Sequence, residues 1–416
     1  MTAVHWERKP LGAVADLCLG KMLDQKKNRG EPLPYLANVN VRWGDFNLDA
    51  LRTMRFEPKE MERYGLKFGD IVMCEGGEPG RCAIWKDQVP GMMIQKALHR
   101  IRPKDCLDYR YLFYSFLNTG QMHGLDQYFT GSTIKHLPGE QLAKVQIDIP
   151  PLPTQRRIAS ILSAYDDLIE NNTRRIAILE EMARRIYEEW FVHFRFPEHE
   201  KVRMVESELG AIPDEWEMST LSQLTEYINR GLAPKYDDEA EGRVINQKCI
   251  RDGRLNMEPA RRQSKPIPAE KLVRFGDVLI NSTGVGTLGR VAQVYEALDN
   301  CTVDTHVSIV RPMQGLNQDF FGLALLRLSP HFESQGVGAT GQTELSRGRI
   351  AETIVAIPPQ KLQEDFGAMV RPIRQLAVAL GKKNMNLRTQ RDLLLPKLIS
   401  GEIEVSNLPE PEALAA

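Results

Sequence analysis

Apolar residues recur at heptad spacing over two long stretches of the chain. With Ile158 taken as position a, Ile158, Ile161, Tyr165, Leu168, Asn172, Arg175, Leu179, Met182 and Ile186 fill a and d. Leu162, Ile169, Ile176, Ala183 and Trp190 add an e column. The same register gives Phe366, Met369, Ile373, Leu376, Leu380, Lys383, Leu387, Gln390 and Leu394, widened by Val370, Ala377 and Leu398. A period sustained over about five heptads predicts coiled-coil-like helices over about 155–192 and 360–396. Each would be roughly 50 Å long. The second is expected to stop near Pro396, because proline lacks the amide donor. Asn172 falls in the seam, where one polar residue either fixes register or is a solvated interruption.

Outside these stretches the pattern changes. Ile71–Cys74, Val278–Asn281, Val291–Tyr295 and Val307–Val310 are short, β-branched runs punctuated by Gly, Pro and Asp, and read as strands and hairpins. They also repeat. Phe68-Gly-Asp-Ile-Val-Met73 returns as Phe275-Gly-Asp-Val-Leu-Ile280, 207 residues later. A Gly-rich turn ending in Arg81 or Arg290 follows, then Gly131-Ser-Thr or Gly338-Ala-Thr, then a strand closing on Pro150-Pro151 or Pro358-Pro359. Each copy ends in one of the long helices.

Charge sharpens this picture. Net charge is −1, yet Arg243–Arg274 carries nine Lys/Arg against three Asp/Glu, and Arg81–Arg110 seven against three. Such stretches are either solvated surface or focused basic faces on a neutral body. A chain of 416 residues with 42% apolar and 26% charged residues suits two or three folded domains. The N-terminus has no apolar signal-like run. The six cysteines, Cys18, Cys74, Cys82, Cys106, Cys249 and Cys301, form no CxxC pair. A cytoplasmic protein with reduced thiols is expected.

The catalytic motifs do not hold up. Gly284-Val-Gly-Thr-Leu-Gly289 matches GxGxxG, but a strand follows where a dinucleotide fingerprint needs a helix. It reads as a hairpin turn. There is no P-loop, no HExxH and no amino-methyltransferase motif.

The duplicated phrases together resemble the specificity subunits of Type I DNA restriction-modification systems. They include Ile149-Pro-Pro-Leu-Pro-Thr-Gln155 with its partner Ile357-Pro-Pro-Gln-Lys-Leu362, and the C-terminal Leu394-Leu-Pro-Lys-Leu-Ile-Ser-Gly-Glu-Ile403. The second copy departs from the first phrase at Gln360-Lys361-Leu362-Gln363, and the first Gly-rich turn alone carries Glu75, Glu78 and Pro79. The resemblance implies a mixed α/β fold with two target-recognition domains, separated by two long antiparallel coiled-coil-like helices. The expected limits are 1–154 and 201–359 for the domains, 155–200 and 360–404 for the helices, and 405–416 for an acidic disordered tail.

It also implies that each domain reads half of a bipartite site on double-stranded DNA. The helices would set the spacing and dock two methyltransferase subunits, with restriction subunits in the full complex. Catalysis, S-adenosylmethionine, ATP and Mg would belong to those partners, and this chain would hold no catalytic or metal site. The candidate DNA contacts are Arg42, Arg81, Lys96, Arg100 and Lys135 in the first half. In the second half they are Lys248, Arg251, Arg254, Arg261, Arg262, Arg290, Gln342 and Arg347. Specific reading uses Arg or Lys on guanine and Asn or Gln on adenine. Taken singly, each is as well explained as solvated surface. Trp43, Phe46, Tyr64 and Tyr128 read as packing residues. The candidate spacer and partner residues are Ile158, Tyr165, Asn172, Leu179, Ile186, Ile373, Leu380, Leu387 and Leu394. Two other readings stay open: a self-contained DNA methyltransferase or nuclease, and a coiled-coil scaffold without DNA function.

Overall fold

The computed structural model describes residues 6–22, 24, 28–208, 210–338 and 343–408. The chain divides into two units, one of residues 1–171 with 384–416, the other of 172–383.

In the first unit a four-stranded antiparallel sheet orders Ala15–Leu19, Leu98–Pro103, Ile71–Cys74 and Cys82–Ile84. A three-stranded sheet places Glu31–Leu36 between Arg52–Phe56, antiparallel, and Met93–Ile94, parallel. Glu7–Pro10 pairs with Gln146–Ile149 just before the long helix. The second unit repeats this plan. Its four strands run Thr225–Arg230, Val307–Pro312, Val278–Asn281 and Val291–Gln293. Its three-stranded sheet centres on Gly242–Ile245, between Arg261–Gln263, antiparallel, and Cys301–Val303, parallel. The duplication read in the sequence is therefore a duplication of topology.

The repeated phrases have physical causes. In Phe-Gly-Asp, Gly69 and Gly276 take φ of +84° and +91°, a region that glycine enters without a Cβ penalty. The aspartate closes that turn by accepting from the backbone N–H of Lys67 or Arg274, each at 2.8 Å. It then receives both arms of an arginine from a neighbouring strand. Arg102 donates to Asp70 at 2.7 and 2.6 Å, and Arg311 to Asp277 at 2.8 and 2.9 Å. Both carboxylates are buried. Burial pushes the Asp277 carboxyl up while Arg311 pulls it back; the two-armed geometry is that of an ionised pair.

The Pro-Pro phrase has its own cause. Gln155 Nε2 donates to the Pro150 carbonyl at 2.8 Å, and its Oε1 accepts from Asp108 N at 2.8 Å. Gln363 does the same with Pro358 at 2.8 Å and Asn317 N at 3.2 Å. Asp108 and Asn317 in turn cap the helices Tyr109–Gln121 and Gln318–Arg327. The second phrase thus keeps the glutamine that matters, and its departure from the first is confined to the residues between.

The long helices span Leu152–Phe191 and Gln360–Ile399. Within the first unit, the opening of one packs antiparallel on the close of the other. Arg391 pairs with Asp166, Asn384 Nδ2 donates to the Ile169 carbonyl at 3.2 Å, and Ile158, Leu162, Leu395 and Leu398 share one core. Within the second unit, Ile176 and Leu179 pack on Ala377 and Leu380, and the Trp190 and Phe366 rings lie 5.8 Å apart.

Three expectations need correction here. The seam runs along the a and e columns, not a and d. Ile158, Leu162, Ile169, Asn172, Ile176 and Ala183 are buried, whereas Leu168 and Met182 are 48% and 44% exposed. On the second helix Phe366, Val370, Ala377, Leu380 and Asn384 are buried, and Met369 and Leu376 are exposed. Steps of four and three alternate along both faces, so apolar residues at +3 and +4 competed for one seam and packing selected +4. Second, the helix does not stop at Pro396. Leu395, Leu398 and Ile399 are buried around it. At about 1.5–3 kcal/mol for each large apolar side chain, they outweigh a proline cost of about 3 kcal/mol. Third, Val405 is buried in the first core beside Ile403, so the packed chain runs past 404; residues 409–416 lie outside those described.

Candidate nucleic-acid interface

In each unit three separate loops are pinned together at the end of the four-stranded sheet. In the first unit the Gly-rich turn 75–81 joins two antiparallel strands. Loop 130–136 closes on itself through paired Thr130–His136 bonds of 2.8 and 2.9 Å, and is joined to the turn by Leu137 N donating to Glu75 O at 2.8 Å. The short 3-10 turn Asn38–Asn40 completes the cluster, because Arg81 Nη2 donates to the Asn38 carbonyl at 2.9 Å. The second unit builds the same cluster from turn 283–290, the 3-10 turn Gln247–Cys249 and the segments 337–338 and 343–347. Val337 and Glu344 pair at 2.9 and 3.0 Å, Leu345 N donates to Ser282 O at 2.8 Å, and Gln247 Nε2 donates to Thr283 Oγ1 at 3.0 Å. The GxGxxG turn therefore connects two strands of a sheet and opens no helix.

The candidate cations divide by placement. Arg42 is exposed and rests its guanidinium on the Val39 and Val41 carbonyls at 2.8 and 3.0 Å. Lys135 is exposed beside Phe129 and Asp126. Lys96 is exposed next to Ala97, whose carbonyl accepts from Glu75 N at 2.9 Å. Lys248 and Arg251 are exposed on and just beyond the second 3-10 turn. Arg290 folds back onto the Gly286 carbonyl at 2.7 Å. Arg347 is exposed at the start of the helix Arg347–Ala351. Arg261 stacks over the Tyr236 ring at 3.5 Å, and Arg262 donates to the Ala240 carbonyl at 2.9 Å.

Others are committed elsewhere. Arg100 is buried and spends its guanidinium on the Glu62, Arg63 and Gly65 carbonyls. Burial holds it below the usual arginine range, and a buried side chain cannot meet a groove. Arg254 is ion-paired with Glu180 of the long helix. Arg81 is 16% exposed and held by Glu78. Gln342 lies outside the described residues. Phe46 is buried as expected, but Trp43 is 39% exposed and donates its indole N–H to Glu78 at 3.2 Å.

A search for cations alone passes over the polar members of the cluster. Asn38, Glu78 and His136 belong to it in the first unit. In the second, so do Gln247, Thr283, bonded to His306 Nδ1 at 2.7 Å, and Glu344, paired with Arg230 at 2.7 Å. The available signal was positional: Asn38 and Gln247, like Arg42 and Arg251, stand 209 residues apart. Held amide, hydroxyl, carboxylate and guanidinium groups on pinned loops can discriminate base edges, while the exposed lysines suit phosphates.

A profile of the Type I restriction modification DNA specificity domain matches residues 3–181 and 213–384. The chain belongs to that family. It is 27% identical over 417 residues to the Type I restriction enzyme MjaIX specificity subunit of Methanocaldococcus jannaschii, covering 97% of this chain and 94% of that one. It is 21% identical over 339 residues to the EcoBI specificity subunit of Escherichia coli, covering 77% and 68%. The fold matches the crystal structure of the S subunit of a Type I restriction-modification system from M. genitalium with a TM-score of 0.58 at 18% identity, over 96% of this chain and 99% of that one. The two matched stretches correspond to the two copies of the repeat.

Proposed function

We propose that this family member is the DNA-reading, non-catalytic subunit of a Type I restriction-modification complex, with each loop cluster reading one half of a bipartite site. The observation that carries this is the duplication of one pinned loop cluster with different polar side chains in each copy. Two similar readers with different chemistry suit an asymmetric site better than a scaffold, which would have no use for the difference. The two long helices serve as a stiff spacer, for which a flexible linker could not substitute.

Methyltransferase subunits would dock on the helices' outer columns. The nine spacer residues expected to serve partners turn inward or half inward: Ile158, Asn172 and Leu380 are buried, and Tyr165, Leu179, Ile186, Ile373, Leu387 and Leu394 are half-buried. The surface left for a partner is Leu168, Met385 and Leu393 in the first unit, and Ile178, Met182, Met369 and Leu376 in the second, all more than 40% exposed. S-adenosylmethionine, ATP and Mg chemistry would reside in the partners.

The test is the salt dependence of DNA binding by the chain with its methyltransferase partner. Replacing Lys248, Arg251 and Arg262 together by alanine is expected to reduce the slope of log K against log salt by about two to three, since each phosphate contact contributes about 0.9. An unchanged slope would place these cations away from DNA.

A further inference from the structure

The two Gly-rich turns are one scaffold carrying different residues. Gly77 and Gly286 have φ of +81° and +71°, and Gly80 and Gly289 of +91° and +76°. Between them, at matching places, stand Glu78 in the first unit and Thr287 in the second. A carboxylate is an unexpected group on a surface that meets phosphates, and Glu78 is not a loose one. Its Oε1 accepts from Trp43 Nε1 at 3.2 Å and its Oε2 from Arg81 Nη1, while Arg81 is itself anchored on the Asn38 carbonyl at 2.9 Å. The side chain is still 54% exposed. An ionised carboxylate offers about four acceptor sites, so two donors leave the outer lone pairs free. Arg81 offsets its charge near the backbone, and the glycines fix the direction in which it points. Thr287, by contrast, turns its hydroxyl back to the Thr283 and Gly284 carbonyls, each at 3.4 Å.

We infer that Glu78 is a specificity-determining residue that selects, in the half-site read by the first unit, a base with an exocyclic amino group in the major groove, cytosine N4 or adenine N6. Those are the groove donors a fixed acceptor can read, whereas guanine and thymine present oxygen at that place and are repelled. Trp43 and Arg81 are positioning residues for it. This rests on the DNA-reading role proposed above.

The experiment maps methylated sites in cells carrying the full chain with its methyltransferase subunits, as wild type, Glu78→Gln and Glu78→Thr. Glutamine keeps one acceptor for Trp43 and Arg81 but adds a donor. The expected result is that discrimination falls about ten- to a hundred-fold at one amino-bearing base of one half-site. The other half-site and the gap stay unchanged, which also reports an intact fold. If Glu78→Gln abolishes methylation, Glu78→Thr, which places the second unit's residue on the same turn, must restore it with an altered base. A wild-type bipartite motif that both variants leave unchanged, or that neither variant methylates, overturns the inference alone. A changed preference in the other half-site overturns it as well. A wild-type complex with no bipartite motif overturns the DNA-reading role, and this inference with it.

Discussion

Asp277→Asn is expected to destabilise the second unit by about 3–5 kcal/mol, the cost of removing one partner from a buried ion pair. The substitution removes a charge and almost no volume, so packing loss is not the cause. What it leaves behind is the Arg311 guanidinium, 6% exposed, with only the half-exposed Glu226 carboxylate at 3.9 Å as a distant countercharge. It also weakens the turn closed by the Arg274 N–H. Much of a domain's net stability, typically 5–15 kcal/mol, would be lost through one atom exchange. Denaturant unfolding followed by the tryptophan at 216, which lies in the second unit, reads the effect. Asp277→Asn with Arg311→Met should recover part of the loss, because an apolar side chain of similar length in place of the guanidinium removes the unpaired buried charge. A change under 1 kcal/mol in the single variant would show that the pair is solvent-screened and the repeated Phe-Gly-Asp phrase has some other cause.

Phe366→Ala should cost the same unit about 3–5 kcal/mol, for a different reason. Phe366 is fully buried, with ring centroids of Tyr187, Trp190 and Phe191 at 6.0, 5.8 and 4.8 Å. All three belong to the first long helix, so truncation opens a cavity where the helices and the sheet-bearing core of this unit meet. Thermal melting reports the stability loss, and amide exchange within 183–191 should quicken. Phe366→Leu, which keeps most of the volume, should cost markedly less. Equal costs for the two variants would contradict the packing account.

Both predictions concern features whose existence was legible in the sequence while their causes were not. The repeat gave the number of units and the order of elements, because topology follows from strand and turn spacing. The heptad pattern located the helices to within a few residues. It could not choose the seam, since Ile161 and Leu162, or Met369 and Val370, are equally apolar and only the partner face decides. Pro396 was misread for a related reason: local propensity argues for a stop, but the burial of Leu395, Leu398 and Ile399 is a tertiary effect. At the loop clusters, charge led to Arg42, Lys135, Lys248 and Arg251, yet it also led to Arg100, whose carbonyl cage forms only in the fold. Gln247 escaped because its interest lies in being held, which distance in sequence does not reveal; Glu78 stood out only as a difference between the two turns, and its anchoring by Trp43 and Arg81 forms only in the fold.

The role proposed for this chain is to give a methyltransferase complex its DNA sequence specificity. Mapping DNA methylation across the genome of host cells with and without the gene tests it most directly. The expected result is a bipartite, asymmetric motif with a fixed gap that disappears on deletion and returns when the gene is restored. An unchanged methylation pattern, while the methyltransferase partner is present and active, would contradict it.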